Sequence, residues 1–429
     1  MKQFIVAGFA LGLLVFSGCS QSGATVQAST PAPEMQPMAA SEAAPVTPEA
    51  TAVVARTGEY VYVCNQTSAS VSVIDVETLE VVDTVELSTF GFDKNAKPHH
   101  IAVEADGAHW YVSLIGANRV LKFNNKNELV GSSEFQAPGM LSLHPDEDLL
   151  FVGRSMMAVN PPERIGMIEP ATMEIEEVDV FFPRPHALIV DPRGDFVYSG
   201  SLSVNQFLSM NIDSGEINLE RLEGNTTHTF VQFAVSPDGS RMVVGGQMTG
   251  QVFIFDTSNP EEVALLATVK VNGAPWHPTF TPDGRFVYFG NKGTDTVTVL
   301  DVEKQEVATV IEGEGLSQPH GIAISKDGSK VFVSNNNLRG GYKTMDMSGG
   351  KMDHGKMDHG AMNHDEEDDK KEGDMDHDKM DHGKMGHGKK EAASEDEVGT
   401  LVVIDTATNK VVKVIALGFY PSGVGTNLH

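Results

Sequence analysis

Cysteine is nearly absent from this chain: its 429 residues hold two, Cys19 and Cys64. Cys19 closes the first apolar run and reads as the end of a leader, which leaves Cys64 alone in the remaining chain. That excludes an internal disulfide and any metal site built on cysteine. Cys64 ends the alternating run Tyr60-Val61-Tyr62-Val63-Cys64, where a buried, inert thiol is expected. Positive charge is scarce as well, with 31 Lys and Arg against 59 Asp and Glu, a net of -28. This argues against nucleic acid as a partner and is compatible with cations. Residues 338–398 hold 17 acidic and 10 basic side chains, so the other positions still carry -21 and the acidity is general. Beyond the leader no stretch is long and apolar enough to cross a bilayer.

Lys2 and the apolar stretch from Phe4 to Phe16 read as an export signal too short to span a membrane. The closing Phe16-Ser17-Gly18-Cys19 resembles the lipobox of bacterial lipoproteins, with Phe16 in place of the usual Leu. The resemblance implies export, lipidation of Cys19 and, since Ser20 is not Asp, attachment at the outer membrane, on its periplasmic face or the cell surface. Residues 20–56, rich in Ala, Pro, Ser, Thr and Glu, have the composition of a disordered tether. The rest, 57–429, is long enough for one large all-β domain, expected to be a monomer.

A phrase recurs through that domain. A proline, often followed by histidine, leads into alternating apolar positions, a Pro-Asp-Gly-like turn and an aromatic-rich strand. It appears as Pro98-His99-His100-Ile101-Ala102-Val103, near Pro138, at Pro185-His186, near Val231, at Pro275-Trp276-His277, at Pro319-His320-Gly321 and at Pro421. Further strand patterns follow most copies, such as Thr296 to Asp301 and Glu306 to Val310. Period-two alternation with β-branched residues means half-buried strands, and a repeat of about 45 residues with four strands is the pattern of propeller blades. The copy at Pro421 is followed by one strand only, whereas Glu59 to Leu87 supplies three strands without a leading proline phrase. The N-terminal strands should therefore pair with the C-terminal one and close a seven-bladed β-propeller without open edges.

Runs such as Ser70-Val71-Ser72-Val73-Ile74-Asp75 and Thr400-Leu401-Val402-Val403-Ile404-Asp405 resemble the YVTN-type β-propeller repeat. That resemblance implies a fold and little about function.

Residues 338–398 interrupt the repeat. Met352 with His354, Met357 with His359 and Met362 with His364 recur at a five-residue step, as do Met375 with His377, Met380 with His382 and Met385 with His387. Asp and Gly flank most of these methionines, and a five-residue step fits neither helix nor strand, so they are not core positions of either. A solvated spacer needs no Met and no His. Thioethers favour Cu(I) or Ag(I), and imidazole with carboxylate suits Cu(II), Zn(II) or Ni(II). The segment is similar to Met/His-rich stretches of bacterial copper- and silver-handling proteins, which implies multisite, exchangeable binding with copper foremost.

Aligned on the turn Asp, the start of the innermost strand carries His99, His186, Trp276 and His320, and the following position carries His100 and His277; His228 precedes its equivalent point by three residues. These histidines are expected at one mouth of the central channel, with the insertion emerging on the same face. Three readings follow. The first is an envelope-anchored propeller that binds copper or another soft metal for sequestration or transfer, with metal ions and an envelope protein as partners. The second is a scaffold for a protein or glycan. The third is an enzyme at the channel mouth, lactonase-like or a metal-dependent oxidoreductase. No nucleophile elbow, phosphate loop or catalytic triad is evident, which favours binding over catalysis.

Overall fold

The computed structural model describes residues 58–271, 273–342 and 398–426. The expected leader with Cys19, the expected tether and the Met/His pairs from Met352 to His387 lie outside the described residues. The described chain forms seven four-stranded antiparallel sheets. Their innermost strands are Pro98–Val103 in blade 1, Pro138–Leu143 in blade 2, Pro185–Val190 in blade 3 and Phe230–Val235 in blade 4. Pro275–Phe280, Pro319–Ile324 and Pro421–Thr426 begin blades 5, 6 and 7. Each inner strand packs beside the next, and the seventh beside the first, around a common axis.

Six blades run outward in chain order. Blade 7 is composite: Pro421–Thr426 pairs with Tyr60–Asn65, and Ser70–Asp75 and Val81–Glu86 follow outward. The closure expected from the two chain ends is the one observed.

Burial explains the strand patterns. The second strand of a blade packs on neighbouring blades with both faces, so His109–Leu114 and Tyr60–Asn65 are buried at nearly every residue. The outermost strand has one wet face, and Glu174–Asp179 alternates or is exposed throughout. Seven apolar clusters fill the seven seams between blades. At the closing seam Trp110 stacks 4.3 Å from Phe123 and lies 5.2 Å from Tyr62. Cys64 is wholly buried in the same cluster, and burial pushes its thiol pKa up, so it is inert as expected.

The two ends of the channel are built differently. At one end tight turns link first to second strands, Asp-Gly in blades 1, 4, 5 and 6 and Arg-Gly in blade 3, with Gly107, Gly194, Gly239, Gly284 and Gly328 at φ of 69–81°. Only glycine adopts that backbone freely. Asp238, Asp283 and Asp327 close these turns by accepting hydrogen bonds from Ser236 and Ser240, Thr281 and Arg285, and Ser325 and Ser329. At the other end the inner strands begin.

Candidate metal centre on the propeller axis

Every inner strand starts with a β-bulge. Pairing jumps from Pro98↔Leu114 to Ile101↔Val112 in blade 1 and from Pro319↔Asn335 to Ile322↔Val333 in blade 6. Comparable shifts occur in blades 2, 3, 4, 5 and 7. A bulge bends its strand and re-aims the extra side chain. The residues so placed are His99, Gly139, His186, Val231, His320 and Ser422.

Blade 5 departs by one residue. Both Pro275↔Asn291 and Trp276↔Gly290 stay paired, so the bulge opens at His277 rather than Trp276. The backbone records the shift. Other blades place a left-handed residue just before the inner strand (Lys97, Ala137, Arg184, Thr229, Gln318, Tyr420), whereas blade 5 has Gly273 at φ 98° and His277 itself at φ 27°. A non-glycine residue there is strained, and such strain gathers at functional sites.

The histidines meet. Ring centres of His277 and His320 are 5.1 Å apart, His99 and His320 5.7 Å, His100 and His277 6.1 Å, and His99 and His186 6.3 Å. His99, His186, His277 and His320 are only 1–5 % exposed, so they sit inside the channel rather than on its rim. His228 is elsewhere: its Nδ1 shares a hydrogen bond with Thr249 Oγ1 at 3.0 Å, and its ring meets Phe253 edge-on at 4.7 Å.

Partners fix several protons. His186 Nδ1 lies 2.7 Å from the Arg154 carbonyl, which can only accept, so the N–H is on Nδ1 and Nε2 keeps its lone pair when the ring is neutral. His99 Nδ1 donates in the same manner to Gln66 Oε1 at 3.3 Å. His100 is opposite: the Leu141 amide donates to its Nδ1 at 3.2 Å, which leaves the proton on Nε2. Three buried imidazole nitrogens have no hydrogen-bond partner among the described residues: His99 Nε2, His277 Nε2 and His320 Nδ1. An unpartnered buried polar atom costs about 1–3 kcal/mol, so a cluster of three calls for an explanation.

Burial first, and neighbouring positive charge second, keeps the imidazoles neutral. The His186 pKa is drawn down to about 4 and that of His100 to about 3. His99, His277 and His320 fall well below the ordinary range for the same reason, with Lys292 and other histidines adding to it. No carboxylate contributes to any of these shifts.

Two imidazoles on one tetrahedral ion, each nitrogen about 2.0–2.1 Å from it, hold their ring centres about 5 Å apart, and a linear pair about 6 Å. The observed 5.1–6.3 Å spans that range. Among the described residues no three His, Cys, Asp or Glu side chains already surround one ion position. The arrangement is therefore a set of neighbouring imidazoles, tilted or edge-on to one another, rather than an assembled metal site. The unpartnered nitrogens of His99, His277 and His320 are the candidate ligand atoms, with His186 beside them and His100 protonated on Nε2.

Of the groups around the cluster, the sequence pointed to Trp276 but not to Lys292 or Tyr420. Lys292 Nζ lies 4.3 Å over the Trp276 ring and 5.8 Å from Tyr420, and Trp276 lies 5.3 Å from His320. Burial draws the Lys292 pKa down to about 8. Packing leaves no slack here: a Cβ on Gly321 would stand 2.3 Å from the Ser422 carbonyl, and one on Gly423 2.3 Å from the His99 carbonyl. The pair Pro319↔Asn335 puts the end of the strand Lys330–Asn335 at the histidine end, and the chain continues from there toward the insertion. Arg339 on that stretch donates to the Lys292 carbonyl and to Asp295, each at 2.9 Å. Met157 and Met248, in the corresponding loops of blades 2 and 4, are 59 % and 70 % exposed.

Comparison with known proteins adds fold-level likeness. The family model "Lactonase, 7-bladed beta-propeller" matches residues 278–339. A solved structure of a functionally unknown protein from Desulfotomaculum acetoxidans DSM 771 is similar at TM-score 0.60 and 16 % identity, covering 86 % of this chain and 99 % of that one. Hydrazine synthase from Kuenenia stuttgartiensis is similar at TM-score 0.53 and 19 % identity, covering 64 % of this chain and 88 % of that one. No curated protein matches. These identities carry the propeller fold alone.

Proposed function

We propose that this propeller binds a late-transition-metal ion, copper foremost, on its axis, for sequestration or transfer in the cell envelope. The observation that carries the reading is the convergence of three buried, unpartnered imidazole nitrogens from blades 1, 5 and 6. A metal ion satisfies imidazole lone pairs that no protein donor reaches, and imidazole suits copper. The Met/His pairs from Met352 to His387 are a second, exchangeable ligand set, and export through a lipidated Cys19 belongs to the same reading. The exposed Met157 and Met248 at the histidine end suit hand-over to an envelope partner. Equilibrium dialysis of the mature protein against Cu(I) and Cu(II) tests it, with and without His277→Ala/His320→Ala. Equal retention by the two proteins at one equivalent contradicts the axial site.

The partial lactonase match favours a second reading, hydrolysis of a lactone by water activated at the neutral histidines. Turnover of simple lactones that survives chelation and is lost in His277→Ala/His320→Ala supports it over metal storage.

A further inference from the structure

The axial cluster is poor in negative charge; Lys292 is the cation that bears on His99, His277 and His320, and Arg184 bears on His186. Its ligand atoms are neutral nitrogens, and no carboxylate influences them. The Lys292 ammonium stands over Trp276 at 4.3 Å and near Tyr420 at 5.8 Å, and its charge is felt by His99, His277 and His320. Lys292 makes no ion pair among the described residues: Asp295, the carboxylate of its own loop, pairs with Arg339 at 2.9 Å. The groups around it are the faces of Trp276 and Tyr420, the nearby imidazoles, and Arg339 on its carbonyl.

We propose that Lys292 is a specificity-determining residue that makes the axial site select a monovalent ion, Cu(I), over divalent ions. The inference rests on the metal-binding reading above. Coulomb repulsion scales with the charge of the entering ion, so the ammonium opposes Zn(II) or Cu(II) twice as strongly in free energy as Cu(I). A site with carboxylate ligands would offset this; a site of neutral imidazoles does not. Lys292 also rests on aromatic faces, which hold a desolvated cation in place rather than releasing it to solvent.

The test uses the full chain at pH 6, where the ammonium is charged. Affinities for Cu(I), by anaerobic competition with a chelator, and for Zn(II) are measured in wild type, Lys292→Met and Lys292→Arg. The His277→Ala/His320→Ala protein, measured alongside, subtracts metal held elsewhere. Lys292→Met should strengthen Cu(I) binding about tenfold and Zn(II) binding about a hundredfold, the square of that factor. Lys292→Arg should keep the wild-type ratio. If Lys292→Met changes both ions by the same factor, or neither, Lys292 only supports Trp276 and the inference is overturned. If wild type holds no more of either ion than His277→Ala/His320→Ala, the metal-binding reading fails and this inference with it. Should Lys292→Met not fold, Lys292→Gln removes the same charge and reads the same ratio.

Discussion

The two ends of this channel are made from the same seven strands and behave oppositely. At the Asp-Gly end the turns of blades 1, 4, 5 and 6 repeat one pattern, glycine takes the left-handed backbone in them, and Asp238, Asp283 and Asp327 find donors within two residues. At the histidine end bulges interrupt the pairing, a non-glycine residue sits at φ 27°, and imidazole nitrogens are buried without partners. A locally consistent end specifies the fold. An inconsistent end, held in shape by the ring around it, is where a ligand can supply what the chain leaves unsatisfied.

The largest expected effect comes from breaking the histidine end sterically. Gly423→Ala puts a methyl 2.3 Å from the His99 carbonyl, so inner strands must separate. Chemical denaturation should show a loss of about 3 kcal/mol or more. Next, the histidines themselves should divide. His186→Ala removes a partnered side chain from a buried bond to Arg154 and should cost about 1–3 kcal/mol. His320→Leu removes an unpartnered nitrogen and should leave the metal-free protein as stable or more so, while axial metal is lost; a large destabilisation would contradict the picture of an unsatisfied cluster.

Acidity separates the ends further. Histidines held neutral bind protons more readily in the unfolded chain. Their stabilisation is therefore full above about pH 6.5 and is lost as pH falls through about 4 for His186 and about 3 for His100. The depressed Asp327, near 2, costs stability only below the ordinary carboxylate range. Urea midpoints should thus already decline between pH 6 and pH 4.5, and His277→Ala/His320→Ala should weaken that decline. The smallest effect belongs to the regular end: Asp327→Ala should cost about 1 kcal/mol and leave metal binding unchanged.

The fold was legible because its physics is periodic. Alternating strands, Asp-Gly turns and a spare set of strands at each chain end could be counted from residues alone, closure included. The site was only partly legible. Pro98-His99 and Pro319-His320 announced their places, but alignment on the turn Asp put Trp276 where the bulge places His277, because bulge register depends on pairing across to Gly290. His228 carried no signal that Thr249 and Phe253 would engage it instead. Lys292 and Tyr420 went unnoticed because only the ring geometry brings the loop after Asn291 and the residue before Pro421 to the same imidazoles.

One measurement bears most directly on the axial centre. Residues 343–397 are replaced by a short Gly/Ser linker, the protein is loaded anaerobically with Cu(I), dialysed, and its copper counted against a His99→Ala/His277→Ala/His320→Ala version of the same protein. Retention of about one copper per chain that vanishes in the triple variant is the predicted result. Copper lost entirely with the Met/His segment would contradict an axial metal centre.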